Sequence, residues 1–397
     1  METYTISRMP QSLARKQTII RILYTSGAAI IIATISSLLI LYGKGYSIKP
    51  VRNGDVILAK TGWIVLKSTP DGAKSYLNDK LENPTNSSIG NLKPGDYNLR
   101  IVKDGYHEWK KKITVKEELV TIADAFLIKK APDIRPVTLT GVTSPVADST
   151  KNLVIYYGSS DEVNGLWLYS QGDSIIASAR ANPRIVAIGD IFKNVKKIEW
   201  SPDSSQILVQ VQATPTSPLL SYIFDVNKTY SAPFSAISNP EKFLNSWKSE
   251  TQIERDKLIA QLNVPTELVQ LAKAPETLFS LDQKKFIYAE NQDSKIIYHV
   301  VDLTVPLPVG KEMNRIFLEV DKNEPLKVAW HSSNEHILIH DSDLVKIIED
   351  DGGNQTTIIN VEIRDNLVLP APDGRSVIIN TSFNKGSSSN LHRISFN

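Results

Sequence analysis

Trp200-Ser201-Pro202-Asp203-Ser204-Ser205-Gln206-Ile207-Leu208-Val209 is the stretch from which the fold is read. A bulky residue ends one segment, Ser-Pro-Asp turns the chain, and an apolar run follows. Proline presets φ at the turn, and an aspartate there bonds backbone amides of its own loop. The same order recurs without gaps at Phe279 to Tyr288, Trp330 to Ile339 and Pro370 to Ile379, with Ser333 in place of the aspartate. A looser copy, Ser144 to Tyr157, carries one extra residue. The turns are 79, 51 and 40 residues apart. Removing an insertion of about 35 residues from the first interval leaves a period of about 40–50, that of a propeller blade. Residues 131–397 are therefore expected to form a β-propeller of five or six blades. Arg135 to Gly141 is expected to pair with the last strand, Leu391 to Phe396, and so close the ring.

The insertion is residues 239–273. Asn239 can cap a helix and Pro240 suits its first turn. Phe243, Leu244, Trp247, Ile253, Leu258 and Leu262 follow at mostly helical spacing, and Pro265 opens a second short helix to Ala272. An amphipathic stripe of this kind predicts packing against sheet edges, with docking as the sharper alternative.

Upstream, Ile22 to Tyr42 is 21 residues without a charged side chain. At about 1.5 Å per residue, a helix of that length spans roughly the 30 Å hydrocarbon core. Arg8, Arg15, Lys16 and Arg21 precede it, so the positive-inside bias predicts a short cytoplasmic tail, 1–21, and a single-pass signal anchor, 22–43, with everything later extracytoplasmic. A cleaved signal peptide is the competing reading. The run is longer than a signal h-region, and the flank YGKGYSIKP offers no small-x-small site.

Residues 44–60 read as a linker, and residues 61–130 as a small β-sandwich. Trp63 to Lys67 and Ser75 to Leu77 flank the turn Pro70-Asp71-Gly72-Ala73. Pro94-Gly95 precedes Tyr97 to Val102, Asp104-Gly105 precedes Tyr106 to Val115, and Val120 to Ile128 closes the set. STPDGAKSYLND followed by LKPGDYNLRIVKDGYHEWKKKITV resembles the PEGA domain. Asp71 replaces the family's glutamate, Asn78-Asp79-Lys80 stands where a glycine is often found, and Pro94, Gly95, Tyr97, Gly105 and Tyr106 match. That resemblance implies an extracytoplasmic, non-catalytic β module, often beside a membrane span. WSPDSSQILV is likewise similar to motifs of the Tol-Pal system's periplasmic propeller and WD-like propellers, which implies that Asp203, Asp282 and Asp373 cap blade hairpins. A calcium-ligand role for them has no supporting spacing.

Composition narrows function further. The 397 residues contain no cysteine, which excludes disulfides, thiolate metal sites and cysteine nucleophiles. Net charge is +2, but residues 1–130 hold 20 basic and 11 acidic side chains (+9), and the remainder 25 and 32 (−7). The densest basic run, Lys110-Lys111-Lys112, is too short to argue for nucleic acid. Residues 61–130, with 12 basic and 9 acidic groups, are expected to favour anionic lipid or wall polymer. No catalytic residue, cofactor-binding residue or metal ligand is assigned. G-x-S-x-G is absent, and His331, His336 and His340, the best metal candidates, fall on a strand pair rather than on one helix face. Glu349, Asp350 and Asp351, beside Gly352-Gly353, read as a solvated hairpin tip. The reading is a non-catalytic, membrane-anchored envelope protein that binds a protein or polymer. A hydrolase with its site in the propeller channel is the alternative, and a sensor with a 21-residue tail ranks last.

Overall fold

The computed structural model describes residues 11–43, 46–50, 56–160, 162–172, 183–308, 310–324, 326–384 and 386–397. Residues 1–10 of the expected tail and parts of the expected linker lie outside them. Contacts divide the chain into two units. The first runs to Ile101 and adds Lys112–Ala125; the second is Val102–Lys111 with Phe126–Asn397.

In the first unit, helix α1 (Gln11–Gly43) begins well before the expected span. Its apolar window, Arg21–Gly43, has no part buried in the fold. The hydroxyls inside it bond back along the helix, Thr25 Oγ1 to the Arg21 carbonyl at 2.9 Å and Thr34 Oγ1 to Ile30 at 2.8 Å. These two hydroxyls are thus satisfied within the helix. The linker is not featureless: Tyr46–Pro50 pairs antiparallel with Val56–Lys60.

Seven strands then build two sheets. Ser87–Leu92, Gly62–Thr69 and Val120–Phe126 lie side by side, and Lys80–Leu81, Lys74–Leu77, Gly95–Val102 and Trp109–Val115 form the second. The short strands Lys80–Leu81 and Ser87–Leu92 were not expected from sequence. Ile64, Leu66, Leu99, Ile101, Val115, Ala123 and Ala125 alternate inward and are buried. At Pro70-Asp71-Gly72-Ala73, Gly72 supplies φ +68°, and the Ala73 amide donates to Thr85 Oγ1 at 2.9 Å.

The second unit is a propeller of five sheets. Blade 1 holds Thr143–Ala147, Leu153–Ser159, Asn164–Ser170 and Arg184–Ile188, with Tyr230–Ser231 added in parallel. Blade 2 holds Val195–Trp200, Gln206–Val211 and Leu220–Asp225. Blade 3 holds Leu278–Phe279, Lys285–Gln292, Lys295–Asp302 and Asn314–Asp321. Blade 4 holds Lys327–Trp330, His336–His340, Leu344–Glu349 and Thr356–Asn360. Blade 5 holds Val368–Pro370, Ser376–Thr381 and Asn390–Ser395. Asp133–Pro136 completes blade 5 by pairing with its last strand, Arg135 opposite Arg393, so the first and last strands of the propeller segment share one sheet, with the first starting two residues before the expected Arg135 and ending at Pro136 instead of Gly141.

One turn recurs five times between the first two strands of a blade. The fourth turn residue donates to the carbonyl of the first, and the first donates to the carbonyl two residues beyond that fourth: Ser201, Ser204 and Gln206; Ser280, Gln283 and Lys285; His331, Asn334 and His336; Ala371, Gly374 and Ser376; Asp148, Lys151 and Leu153. The fourth residue is left-handed in every copy, with φ between +57° and +64°. The earliest copy therefore has no extra residue. Its carboxylate, Asp148, has moved two places forward, and Thr150 stands where the others carry Asp or Ser.

Apolar clusters join the blades in sequence. One spans blades 1 and 2 through Ile155, Leu166, Ile207 and Val209. Others span blades 3 and 4 (Ile287, Val300, Trp330, Ile337), 4 and 5 (Leu338, Ile347, Val377, Ile379), and 5 and 1 (Ile378, Leu391, Val154, Tyr156). Between blades 2 and 3 the insertion intervenes: α2 (Pro240–Gln261) and α3 (Val269–Lys273). Ile259, Leu268 and Ala272 pack on Phe286, Tyr288 and Val301, the face of blade 3 turned away from blade 4. Asn239 caps α2 as expected, accepting from the Lys242 amide at 3.2 Å. The stripe differs from the expected one. Leu244 and Ile259 are buried, whereas Phe243 and Ile253 remain exposed.

Asn334 tests the turn. It is left-handed (φ +59°), and its Oδ1 accepts from the Leu281 amide of blade 3 at 2.9 Å. Asn334→Gly keeps the backbone and loses that bond, costing about 1 kcal/mol. Asn334→Ala adds the left-handed penalty, roughly 1–2 kcal/mol more. Urea unfolding of both variants checks the order; equal costs would refute it.

Candidate functional site

The turn end of blades 3 and 4 gathers a cluster of charged groups in which Lys285, Asp302 and Asp350 are buried and Glu335 is exposed. Lys285, at the start of a blade 3 strand, is buried with its Nζ 2.8 Å from Asp350 and 2.6 Å from Glu335. Arg315 Nη2 lies 2.6 Å from Asp350, and Lys311 Nζ lies 3.0 Å from both Asp350 and Glu335. Asp302 faces the same cations at 3.7 Å and 3.9 Å. Three cations thus meet three carboxylates, and the charge closes on itself. Burial opposes ionisation of Asp350, yet Lys311, Arg315 and Lys285 hold its carboxyl down at about 2. Burial would lower Lys285, but Asp350 and Glu335 outweigh it and raise the ammonium above its ordinary value.

Next to this set, Glu349 is buried and triply engaged. Trp109 Nε1 donates to it at 2.5 Å, Asn354 Nδ2 at 2.8 Å, and Lys111 pairs with it and, at 2.6 Å, with Asp351. The expectation of a solvated tip at Glu349 to Asp351 is corrected here. Glu349 and Asp350 are 6% and 1% exposed, because their partners are brought in from elsewhere in the chain.

The histidines lie beside them. His331 and His336 face each other with ring centroids 5.9 Å apart, and Phe126 packs on both, at 5.4 and 5.0 Å. Ser333 Oγ sits 3.0 Å from Nδ1 of each. Desolvation lowers His331 to about 4 and His336 to about 3. Neutral rings shared by one hydroxyl are a packing device; neither is poised to exchange a proton near neutral pH. His340, at the far end of the same strand, is buried and likewise lowered by desolvation. Among the described residues, no three His, Asp or Glu side chains converge as a metal site.

The aspartates of the repeat serve their own turns. Asp203 Oδ1 accepts from the Ser205 amide at 3.1 Å and from Ser201 Oγ at 2.6 Å. Asp282 Oδ1 accepts from the Lys284 amide at 3.2 Å and Ser280 Oγ at 2.7 Å, and Asp373 Oδ1 from the Arg375 amide at 2.8 Å. Asp148 accepts from the Leu153 amide at 2.9 Å and also from Ser204 Oγ of blade 2 at 2.9 Å. The indoles link blades in a similar way: Trp200 Nε1 donates to the Val146 carbonyl at 3.1 Å, and Trp330 Nε1 to Leu278 at 2.8 Å. Lys285, Asp302, Lys311 and Arg315 escaped the sequence reading, since no local spacing joins residues that are tens of positions apart.

Residues 61–129 match the PEGA domain family. No curated protein matches the chain. Among solved structures, the chain is similar to TolB from Acinetobacter baumannii, at 12% identity and a TM-score of 0.24, covering 85% of this chain and 63% of that one. The chain thus spans less than two thirds of that protein. It is also similar to the β-propeller domain of the trilobed protease from Pyrococcus furiosus, at 11% identity and a TM-score of 0.21, over 65% of this chain and 72% of that one. The propeller assignment rests on the five sheets themselves.

Two outcomes follow from these charges. Lys285→Met leaves Asp350 and Asp302 short of a buried partner and should cost about 3 kcal/mol in chemical denaturation. In acid, His331 and His336 are neutral in the fold but bind protons once unfolded, below their ordinary value of 6.5. Stability is therefore full above that pH and declines as pH falls from 6.5 towards 4, and Asp350 adds a further loss below 3.8. His336→Gln should remove about one proton's worth of that slope, ~1.4 kcal/mol per pH unit. An unchanged slope would refute the assignment.

Proposed function

We propose that this chain is a non-catalytic, membrane-anchored protein of the cell envelope. Its PEGA-type module and propeller stand outside the cytoplasm and hold a protein or polymer partner. The observation that carries this reading is α1: the 23-residue window Arg21–Gly43 is apolar and unburied, so the fold itself gives that surface no cover. A lipid core supplies the missing environment. Arg15, Lys16 and Arg21 at its leading side support an inward N-terminus. The polar clusters favour holding over reacting, because their carboxylates and ammonium groups are locked in pairs and their imidazoles are kept neutral. Lys110 pairs with Glu108, Lys111 with Glu349 and Asp351, and Lys112 with Asp96, so the three-lysine run has little unpaired charge to offer an anionic surface.

Cell fractionation with protease shaving tests the reading. Carbonate-washed membranes should retain the full chain, and protease added outside intact spheroplasts should strip the C-terminal two thirds from a short membrane-held remnant. A chain released by carbonate, or one fully protected from outside protease, overturns it.

A further inference from the structure

The first unit carries an apolar sheet face that is exposed at Val120 and Ile122 and half-buried at Trp63 and Val65. On the strand Gly62–Thr69, Trp63 and Val65 point away from the core, opposite the buried Ile64 and Leu66. On the neighbouring strand, Val120 and Ile122 are 53% and 61% exposed, and Leu119 just before them is 43% exposed. The Trp63 amide donates to the Leu119 carbonyl at 3.1 Å, which fixes the two strands edge to edge. Gly90 makes the face flat: a Cβ there would sit 2.8 Å from the Trp63 ring, so only glycine lets the indole lie across that strand. Trp63, Val65, Val120 and Ile122, at one end of a sheet face that carries the exposed Lys67 and Asp124 farther along, make an apolar patch that needs an occupant.

The occupant is indicated by what touches the patch. Tyr42, at the end of the apolar helix, meets Trp63 edge-on with ring centroids 6.3 Å apart. A tyrosine and a tryptophan in contact where a lipid-length helix ends match the interfacial belt, where amphipathic rings sit at headgroup depth. The charged rim pairs within itself, one ammonium against two carboxylates. Lys60 pairs with Glu118 at 3.3 Å and Glu117 at 3.7 Å, and Tyr46 donates to Glu118 at 2.7 Å. We propose that the outer sheet face formed by Trp63, Val65, Val120 and Ile122 lies in the interfacial layer of the bilayer that α1 crosses, held there by apolar contact and not by lipid charge. The inference rests on the reading of α1 as a span.

The absence of cysteine makes the test direct, since any introduced thiol is the only labelling site. The full chain is reconstituted in phosphatidylcholine bilayers with an environment-sensitive fluorophore at Ile122→Cys, Val120→Cys, Asn98→Cys or Ile31→Cys. Asn98 is exposed on the other sheet of the same unit, and Ile31 is in mid-helix. Lipids carrying a nitroxide near the headgroup should quench labels at 122 and 120, with blue-shifted emission, and leave 98 bright. Lipids with a nitroxide deep in the acyl chain should quench 31. The quenching at 122 should persist unchanged when anionic lipid is added. A quenched 31 with a bright 122 overturns the inference and leaves the anchor standing. An unquenched 31 removes the anchor reading, and the inference with it. Bright labels at 122 that crosslink chain to chain as disulfides assign the face to a second copy instead, and likewise overturn the proposal.

Discussion

The propeller depends on one constraint: the turn between the first two strands of each blade must place a left-handed residue at its fourth position while closing the two backbone hydrogen bonds that pair its ends. A two-strand register is fixed by its turn, and a slip of one residue would exchange the two faces of the second strand. In blade 3 that exchange would send Ile287 to the helices and Phe286 to blade 4, reversing two apolar clusters at once. The Ser-x-Asp and His-x-Ser side-chain pairs hold the turn closed from inside. In blade 5, where Ala371 cannot join in, Ser376 Oγ reaches Asp373 instead, at 2.9 Å. The chemistry of the pair varies, but the geometry it enforces does not.

This constraint explains what was legible in the sequence. A local device repeats as a local pattern, so four turns, the blade period and the strand pair that closes the ring could be read from residue order. The capped start of α2 was legible for the same reason. Asp148 was misaligned because the carboxylate, the most visible letter of the motif, had changed position while the backbone pattern stayed. Glu349 and Asp350 were misread for a different reason. Acidic residues beside Gly-Gly look solvated when the cations that bury them lie elsewhere in the sequence: Lys111 is 238 residues from Glu349, and Lys285 is 65 from Asp350. Non-local electrostatics leaves no spacing to read. The outer face of the first unit's sheet was missed because Val120 and Ile122 look like ordinary strand residues until burial shows which side they occupy.

The buried ions bear on specificity more than on stability. Desolvating Lys285, Asp302 and Asp350, with Arg315 nearly buried beside them, is costly, and a well-packed apolar substitute is often as stable. What an ion cluster adds is intolerance of the wrong neighbour: a blade 4 turn docked against any surface lacking Lys285, Lys311 and Arg315 would strand Asp350 without a partner. Blades share an architecture and similar apolar faces, so mispaired neighbours are a real competitor during folding. The charge cluster at one interface, with neutral histidines at the next, gives blade 4 two chemically distinct sides.

The same logic applies to the insertion. A propeller face that meets no neighbouring sheet must still be covered, and blade 3 presents Phe286, Tyr288 and Val301 on the side away from blade 4. Helices answer this without adding strand edges, since their backbone groups are satisfied internally and only a stripe of side chains is needed. Arg255 ties the two helices into one piece, donating to the carbonyls of Ala272, Ala274 and Thr277, the last of which leads into the first strand of blade 3. The helices therefore belong to the wall of the ring by packing and by covalent continuity. Whatever Phe243 and Ile253 offer to solvent is displayed on a structural element, not on a mobile appendage.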